Sequence, residues 1–281
     1  MTIHSSAIID KECRIGEGVN IGANSYIGAK TQIGDNTVIH AQVVIDGNVT
    51  IGENNIIFPG AVIGFAPQDK TYKGEESGVL IGNNNVLREY VTINAATGAG
   101  ALTQIGNDNM IMAYCHVAHN CRLGNDVTMA NSVSLGGHVV VESYAILGGV
   151  LGVHQFTHIG QLSMIGGMSR VDRDVPPFTL VEGNPARIRG LNKIGLQRNG
   201  HLGSGSSDIW MGLKEVFKTL YSDRTNLNQR VSELLGTLAE DSPEQALVSF
   251  LDQSLNDTNR RGPMPRQANE DPSQNNDLNK V

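Results

Sequence analysis

Isoleucine occupies positions 3, 9, 15, 21, 27, 33, 39, 45, 51, 57 and 63, eleven successive places at a spacing of six. After a break the ladder resumes at Ile81, Leu87 and Ile93, and after a second it runs from Ile105 to Val171. The residue after the aliphatic one is often glycine (Gly16, Gly22, Gly28, Gly34, Gly136). The residue four places on is small or β-branched (Val19, Ser25, Thr31, Ala61, Val127). A period of six suits neither an α-helix nor a hairpin meander. It suits a parallel β-solenoid in which each hexad is a short strand plus a corner. The aliphatic side chain then points inward, and glycine is expected to supply backbone angles closed to other residues at the turn. With 40% hydrophobic but only 5% aromatic residues, the core must come from Ile, Val, Leu and Ala, which stack well in strands. Cys13, Cys115 and Cys121 all fall in the small-residue slot and read as core fillers. Their odd number argues against a disulfide framework.

The hexads resemble those of the hexapeptide-repeat acyltransferases, whose chains wind as left-handed parallel β-helices with three hexads per coil. Left-handed winding departs from the usual crossover rule and rests on the resemblance alone. Twenty-six hexads then make eight to nine coils. Two polar breaks, at 65–80 and 94–104, add twelve and six residues, so the ladder resumes with its coil phase unchanged. Long excursions from a regular scaffold are usually functional loops. The predicted fold is an all-β solenoid, a left-handed parallel β-helix over residues 1–190, followed by an α-helical C-terminal domain over 191–255. In that domain Ile209, Leu213, Val216, Phe217 and Leu220 form one apolar stripe, and Val231, Leu234, Leu235 and Leu238 a second. Ser242-Pro243-Glu244-Gln245 reads as an N-cap with proline at N1. Residues 256–281, rich in Asn, Asp, Pro and Gln, are expected to be disordered.

A net charge of −7 argues against a nucleic-acid-binding surface. No apolar run is long enough to span a membrane. Met1-Thr2-Ile3-His4 does not open a signal peptide, so a cytoplasmic location is expected. Arg187, Arg189, Lys193 and Arg198 crowd four cations into twelve residues. They form either an ordinary solvated surface or a patch for an acidic carrier protein or a diphosphate.

Chemistry is expected where histidines gather. With eighteen residues per coil, His116, His119, His138 and His154 fall near one corner on three successive coils. Gly137 and Gln155 share the column of His119, and the first insertion leaves the ladder at that angular position, after Gly64. His4, His40 and His201 read as structural, with His158 open. Two chemistries compete for this cluster. One is zinc, although the spacing offers no distinctive ligand pattern; the other is acyl transfer with an imidazole general base.

A closer resemblance favours the second. Ala113-Tyr114-Cys115-His116-Val117-Ala118-His119-Asn120-Cys121 is similar to the catalytic strand of the UDP-N-acetylglucosamine O-acyltransferases of lipid A synthesis. Leu135-Gly136-Gly137-His138, Val153-His154-Gln155-Phe156, Gln68-Asp69 and Asp174-Val175-Pro176-Pro177-Phe178 match as well. The resemblance implies transfer of a 3-hydroxyacyl group from acyl carrier protein to the 3-hydroxyl of UDP-N-acetylglucosamine, without cofactor or metal, by a homotrimer with sites between subunits. It makes His119 the general base and gives the oxyanion to the backbone N–H of Gly137. His116, His138, His154, Gln155, Gln68 and Asp69 would position the substrates. Asn192 and Arg198 would reach the nucleotide-sugar from a neighbouring subunit, and Gly167 would set acyl length. The chain departs from the family at Asn120, where an aspartate is usual and where slower turnover is therefore expected. Thr71 replaces a loop lysine, whose part Lys70 or Lys73 would take, and Ile194 replaces a glutamate. Other readings are a related acyltransferase acting on a 3-amino UDP-sugar, or a non-catalytic or zinc-binding β-helix.

Overall fold

The computed structural model describes residues 1–199, 207–222 and 226–267. The hexads fold into short strands, most of them two residues long, in three sheets of eleven, nine and eight strands. Through the coils each strand pairs in parallel with the strands three places before and after it in the chain, so the sheets are the three walls of a left-handed β-helix. The ladder residues fill its interior: Ile27, Ile45, Ile57, Ile63 and Leu87 are fully buried. Burial of each such side chain contributes about 1.5–3 kcal/mol.

The insertions leave the coil phase intact. Asn85 follows Asn55 by 30 residues, Asn109 follows Asn85 by 24, and Val127 follows Asn109 by the ordinary 18, yet all four stack. Each asparagine Oδ1 accepts the backbone N–H of the residue stacked on it, at 2.9, 3.0 and 2.7 Å. A buried polar ladder thus runs through the slot expected to hold only small or β-branched residues. It is tolerated because its amides bond to one another and to backbone carbonyls.

The hexad glycines serve a purpose other than the expected one. Those directly after the aliphatic residue have ordinary φ, except Gly64 (92°), where the chain leaves the ladder. A Cβ at Gly22 would lie 2.5 Å from the backbone N of Ala41, and one at Gly34 would lie 2.6 Å from the carbonyl carbon of Gly52. These glycines let successive coils approach. The left-handed turn residue sits two places later and is usually not glycine: Asn24, Asn36, Gln42, Asn54 and Asn120 have φ of 57–61°. Asparagine tolerates that conformation better than most residues.

The two-residue hexad strands end at Arg170–Val171. Thr179–Gly183 still pairs in parallel with the first sheet but turns back through an antiparallel hairpin onto Ala186–Leu191. Among the described residues four helices follow: α1 (Lys193–Arg198), α2 (Ser207–Leu220), α3 (Leu227–Leu234) and α4 (Pro243–Asn256). The Ser242 hydroxyl caps α4 by accepting the Gln245 N–H. Helix α1 opens the expected helical domain within the basic stretch, and α3 stops before Leu238.

The expectation of disorder from residue 256 is overturned for 257–267, which dock on the exit of the β-helix. Met264 is fully buried there, and Arg260 pairs with the buried carboxylate of Asp174 at 2.8 Å. Residues 268–281 and His201 lie outside the described residues. Cys115 and Cys121 are buried, and burial pushes their thiols up to about 11 and about 12, as inert fillers require. Among the described residues no helix is long and apolar enough to cross a membrane.

Candidate active site

The site is built on the corner between the nine-stranded and eight-stranded walls, which residues 118–121, 136–139 and 154–157 turn on successive coils. His119, Gly137 and Gln155 form one column of this corner. Asn120, His138 and Phe156 form the next, with φ of 60°, 60° and 62°. The His138 N–H donates to the His119 carbonyl and the Phe156 N–H to the Gly137 carbonyl, each at 3.0 Å. The His119 and His138 rings meet edge-on at 5.2 Å, and His138 stacks on Phe156 at 4.6 Å. His116 stands in the strand before the corner, with Nδ1 2.7 Å from the Thr92 hydroxyl. His154 opens the corner two coils beyond His119, with its own contacts to the Gln155 carbonyl and Arg261.

Both insertions fold back over His119. From the first, Asp69 Oδ2 lies 4.0 Å from His119 Nε2. Its carboxyl is held below the usual range by hydrogen bonds from the Thr71 N–H and hydroxyl, and then from the Thr97 hydroxyl. Thr71 thus serves to fix Asp69. From the second insertion, Thr97 was not singled out in the sequence. Its N–H donates to Asn120 Oδ1 at 2.9 Å, and its carbonyl accepts Asn120 Nδ2 at 3.0 Å. Glu75 ties the insertions further by accepting the Gly98 N–H at 2.9 Å.

These bonds settle the state of the His119 ring. An amide nitrogen cannot accept from the Thr97 N–H, nor an amide oxygen donate to the Thr97 carbonyl. The backbone therefore fixes which end of Asn120 is oxygen. That oxygen lies 2.9 Å from His119 Nδ1, so Nδ1 carries a proton, and in the neutral ring the lone pair is on Nε2. Nε2 points at Gly137, where a Cβ would sit 2.5 Å from His119 Cε1 and closer still to Nε2. Among the described residues nothing accepts the Gly137 N–H. A free base nitrogen and a free amide donor thus border one space. Burial, and then any positive charge taken up by His119, lowers the pKa of His116 and of His138, with Asp69 opposing at the latter. Both rings are therefore neutral at neutral pH.

A groove of about 580 Å³ runs from Gly136 across the nine-stranded wall and is lined by His154, Arg170, Asp172 and Arg261. Gly167 lies on the opposite edge of that wall, where a Cβ would meet only Gly149, at 3.1 Å from its carbonyl oxygen. Gln68 and Gln155 are exposed. Asn192 and Arg198 are not brought to the corner within one chain. The Asn192 amide caps α1 by accepting the Gly195 N–H and donates to the Leu162 carbonyl, while Arg198 is exposed in the last turn of that helix. Of the cationic stretch, Arg189 pairs with Glu182 at 3.0 Å and Lys193 lies over Trp210. His158 faces Glu142 at 2.7 Å, away from the corner. Among the described residues no three His, Cys, Asp or Glu side chains converge as a metal site.

Comparison with known proteins points the same way. Residues 174–264 match the family model described as UDP N-acetylglucosamine O-acyltransferase, domain 2, and residues 30–65 and 102–137 match that of the bacterial transferase hexapeptide. An acyl-[acyl-carrier-protein]–UDP-N-acetylglucosamine O-acyltransferase from Synechocystis is 56% identical over 214 residues, 76% of each chain. One from Burkholderia orbicola is 46% identical over 258 residues, 90% of this chain and 97% of that one. Among solved structures, UDP-N-acetylglucosamine acyltransferase from Campylobacter jejuni superposes with a TM-score of 0.85 at 36% identity, covering 95% of this chain and all of its own. The Francisella novicida enzyme gives 0.88 at 36% identity and 95% coverage of both.

Proposed function

The chain belongs to the UDP-N-acetylglucosamine O-acyltransferase family, and we propose that it transfers a 3-hydroxyacyl group from acyl carrier protein to the 3-hydroxyl of UDP-N-acetylglucosamine, opening lipid A synthesis. The observation that carries the mechanism is the orientation of His119, its Nδ1–H held by Asn120 and its Nε2 open beside the Gly137 N–H. Nε2 takes the proton of the sugar hydroxyl as that oxygen attacks the thioester carbonyl. The Gly137 N–H receives the developing oxyanion. Collapse breaks the C–S bond, and the imidazolium returns its proton to the leaving thiolate. The exchange involves no change of oxidation state and needs no redox cofactor.

The working unit in this reading is a homotrimer in the cytoplasm, where acyl carrier protein and nucleotide-sugars are found. Its support is the column at 114, 132, 150 and 168 on the far edge of the nine-stranded wall, where Tyr114, Val150 and Met168 are 61%, 62% and 77% exposed and Ser132 is the one polar member. Large apolar groups aligned on one edge fit burial against another copy. A neighbouring subunit packed there would bring Arg198 toward the sugar, with Asn192 holding the start of α1.

The test is a mass-spectrometric transfer assay with a panel of 3-hydroxyacyl–acyl carrier proteins, using UDP-N-acetylglucosamine or its 3-amino analogue as acceptor. Ester product with the hydroxyl sugar supports the reading. Product only with the amino sugar redirects it to an N-acyltransferase, and no product with either overturns it.

A further inference from the structure

The stretch after α4 is a strap held at several points. Arg260 Nε donates to Asp174 Oδ2 at 2.8 Å, and Asp174, fully buried, also accepts the Ser254 hydroxyl. The Met264 N–H donates to the Asp174 carbonyl at 2.8 Å, and the Gly262 carbonyl accepts the Asp174 N–H at 3.1 Å. The Gln267 N–H reaches the Ile188 carbonyl at 3.0 Å. Between these anchors Arg173 Nη1 donates to the Arg261 carbonyl at 2.6 Å. The side chain of Arg261 is thereby laid over the nine-stranded wall, with Nη1 3.1 Å from His154 Nε2.

A guanidinium can only donate, so His154 Nε2 is the acceptor and the ring proton is on Nδ1. Nδ1 lies 3.0 Å from the Gln155 carbonyl, which accepts it. Both nitrogens of His154 are thus engaged within the chain, and the polar group facing the groove is the guanidinium. Arg170 and Asp172, which also line the groove, face each other at 3.4 Å. Among the described residues no carboxylate lies within 4.0 Å of Arg261, which therefore supplies the uncompensated positive charge. The groove begins at Gly136, beside the donor N–H of Gly137.

We propose that Arg261 is a substrate-binding residue whose guanidinium recognises a phosphate group in this groove, aimed by the acceptor nitrogen of His154. The proposal rests on the transfer reaction above, both of whose substrates carry phosphate: the diphosphate of the nucleotide-sugar and the phosphopantetheine arm of the donor. A planar, permanently charged fork is the side chain best matched to phosphate.

Steady-state kinetics of the parent, Arg261→Ala and Arg261→Lys, varying each substrate in turn, tests it. The expected result is a rise in KM of tenfold or more for one substrate in Arg261→Ala, a smaller effect on kcat, and partial recovery in Arg261→Lys. A rise for the sugar assigns its diphosphate. A rise for the acyl carrier protein assigns the phosphopantetheine, and an acyl-pantetheine donor lacking phosphate should then be used equally by parent and variant. Unmoved KM values for both substrates, in an active variant with the Tm of the parent, overturn the role of Arg261 alone. A parent that makes no product overturns the transfer reading and this one with it. Independently of turnover, a ¹H–¹⁵N spectrum of histidine-labelled parent should show His154 as the Nδ1–H tautomer, with its Nε2 resonance moving in Arg261→Ala. An Nε2–H tautomer contradicts the contact.

Discussion

Asn120 Oδ1 accepts two hydrogen bonds at 2.9 Å, one from His119 Nδ1 and one from the Thr97 N–H. An amide in this place risks offering its NH2 to the imidazole and selecting the wrong tautomer, which is how Asp→Asn disables a serine-protease triad. Thr97 prevents that by gripping both ends of the amide. What Asn120 lacks is charge. Asn120→Asp should raise kcat about tenfold by stabilising the imidazolium. It should also lower Tm by a few degrees, because a carboxylate oxygen then faces the Thr97 carbonyl. Kinetics and thermal melts of the same preparation check both, and a variant no faster than the parent contradicts the charge argument.

Gly137 is where the space for the reaction is made. A Cβ there would collide with the His119 ring, a side chain that can swing away, and with no backbone. Gly137→Ala keeps its backbone N–H, so it should fold with nearly the Tm of the parent and lose activity by roughly 10²–10⁴-fold because the added methyl displaces the general-base imidazole. A variant that retains activity would show that His119 does not work from this position.

The lowered pKa of His116 has a signed consequence for stability. Its unfolded value is about 6.5 and its folded value is lower, mainly through burial. Between the two the unfolded chain binds more protons, so the contribution is complete above about pH 6.5 and is lost as pH falls through the folded value. Tm measured from pH 8 to pH 5 should fall more steeply for the parent than for His116→Gln. Parallel curves would contradict the assignment.

At Gly167 the backbone φ is ordinary and the nearest atom to an added Cβ is the Gly149 carbonyl oxygen at 3.1 Å. Gly167→Met should fold and shift donor preference to a 3-hydroxyacyl chain shorter by several carbons, measured as relative kcat/KM across a donor series. An unchanged preference would remove Gly167 as the determinant of length.

The ladder made the walls, the insertions and the His119–Gly137–Gln155 column legible, because a strict period converts sequence distance into position. Other features depend on contacts that no period encodes. Thr97 sits in an insertion, outside the repeat, and acquires its role only when the loop folds back. The turn role expected of the hexad glycines does not hold, because in a stacked solenoid the tighter constraint on Gly22 and Gly34 is the adjacent coil, while the left-handed turn falls two places later on residues as varied as Asn36, His138 and Phe156. Residues 257–267 have the composition of a disordered tail, and their order comes from two anchors, Met264 in the core and Arg260 on a buried carboxylate, that composition averages away.

The central claim is that the open Nε2 of His119 removes the proton of the sugar hydroxyl. Single-turnover transfer by the parent and by His119→Ala, with substrate binding measured separately, tests it most directly. The account predicts a chemical step slowed by about 10²–10⁴-fold, with binding of both substrates changed little. A variant that transfers acyl groups at the rate of the parent would contradict it.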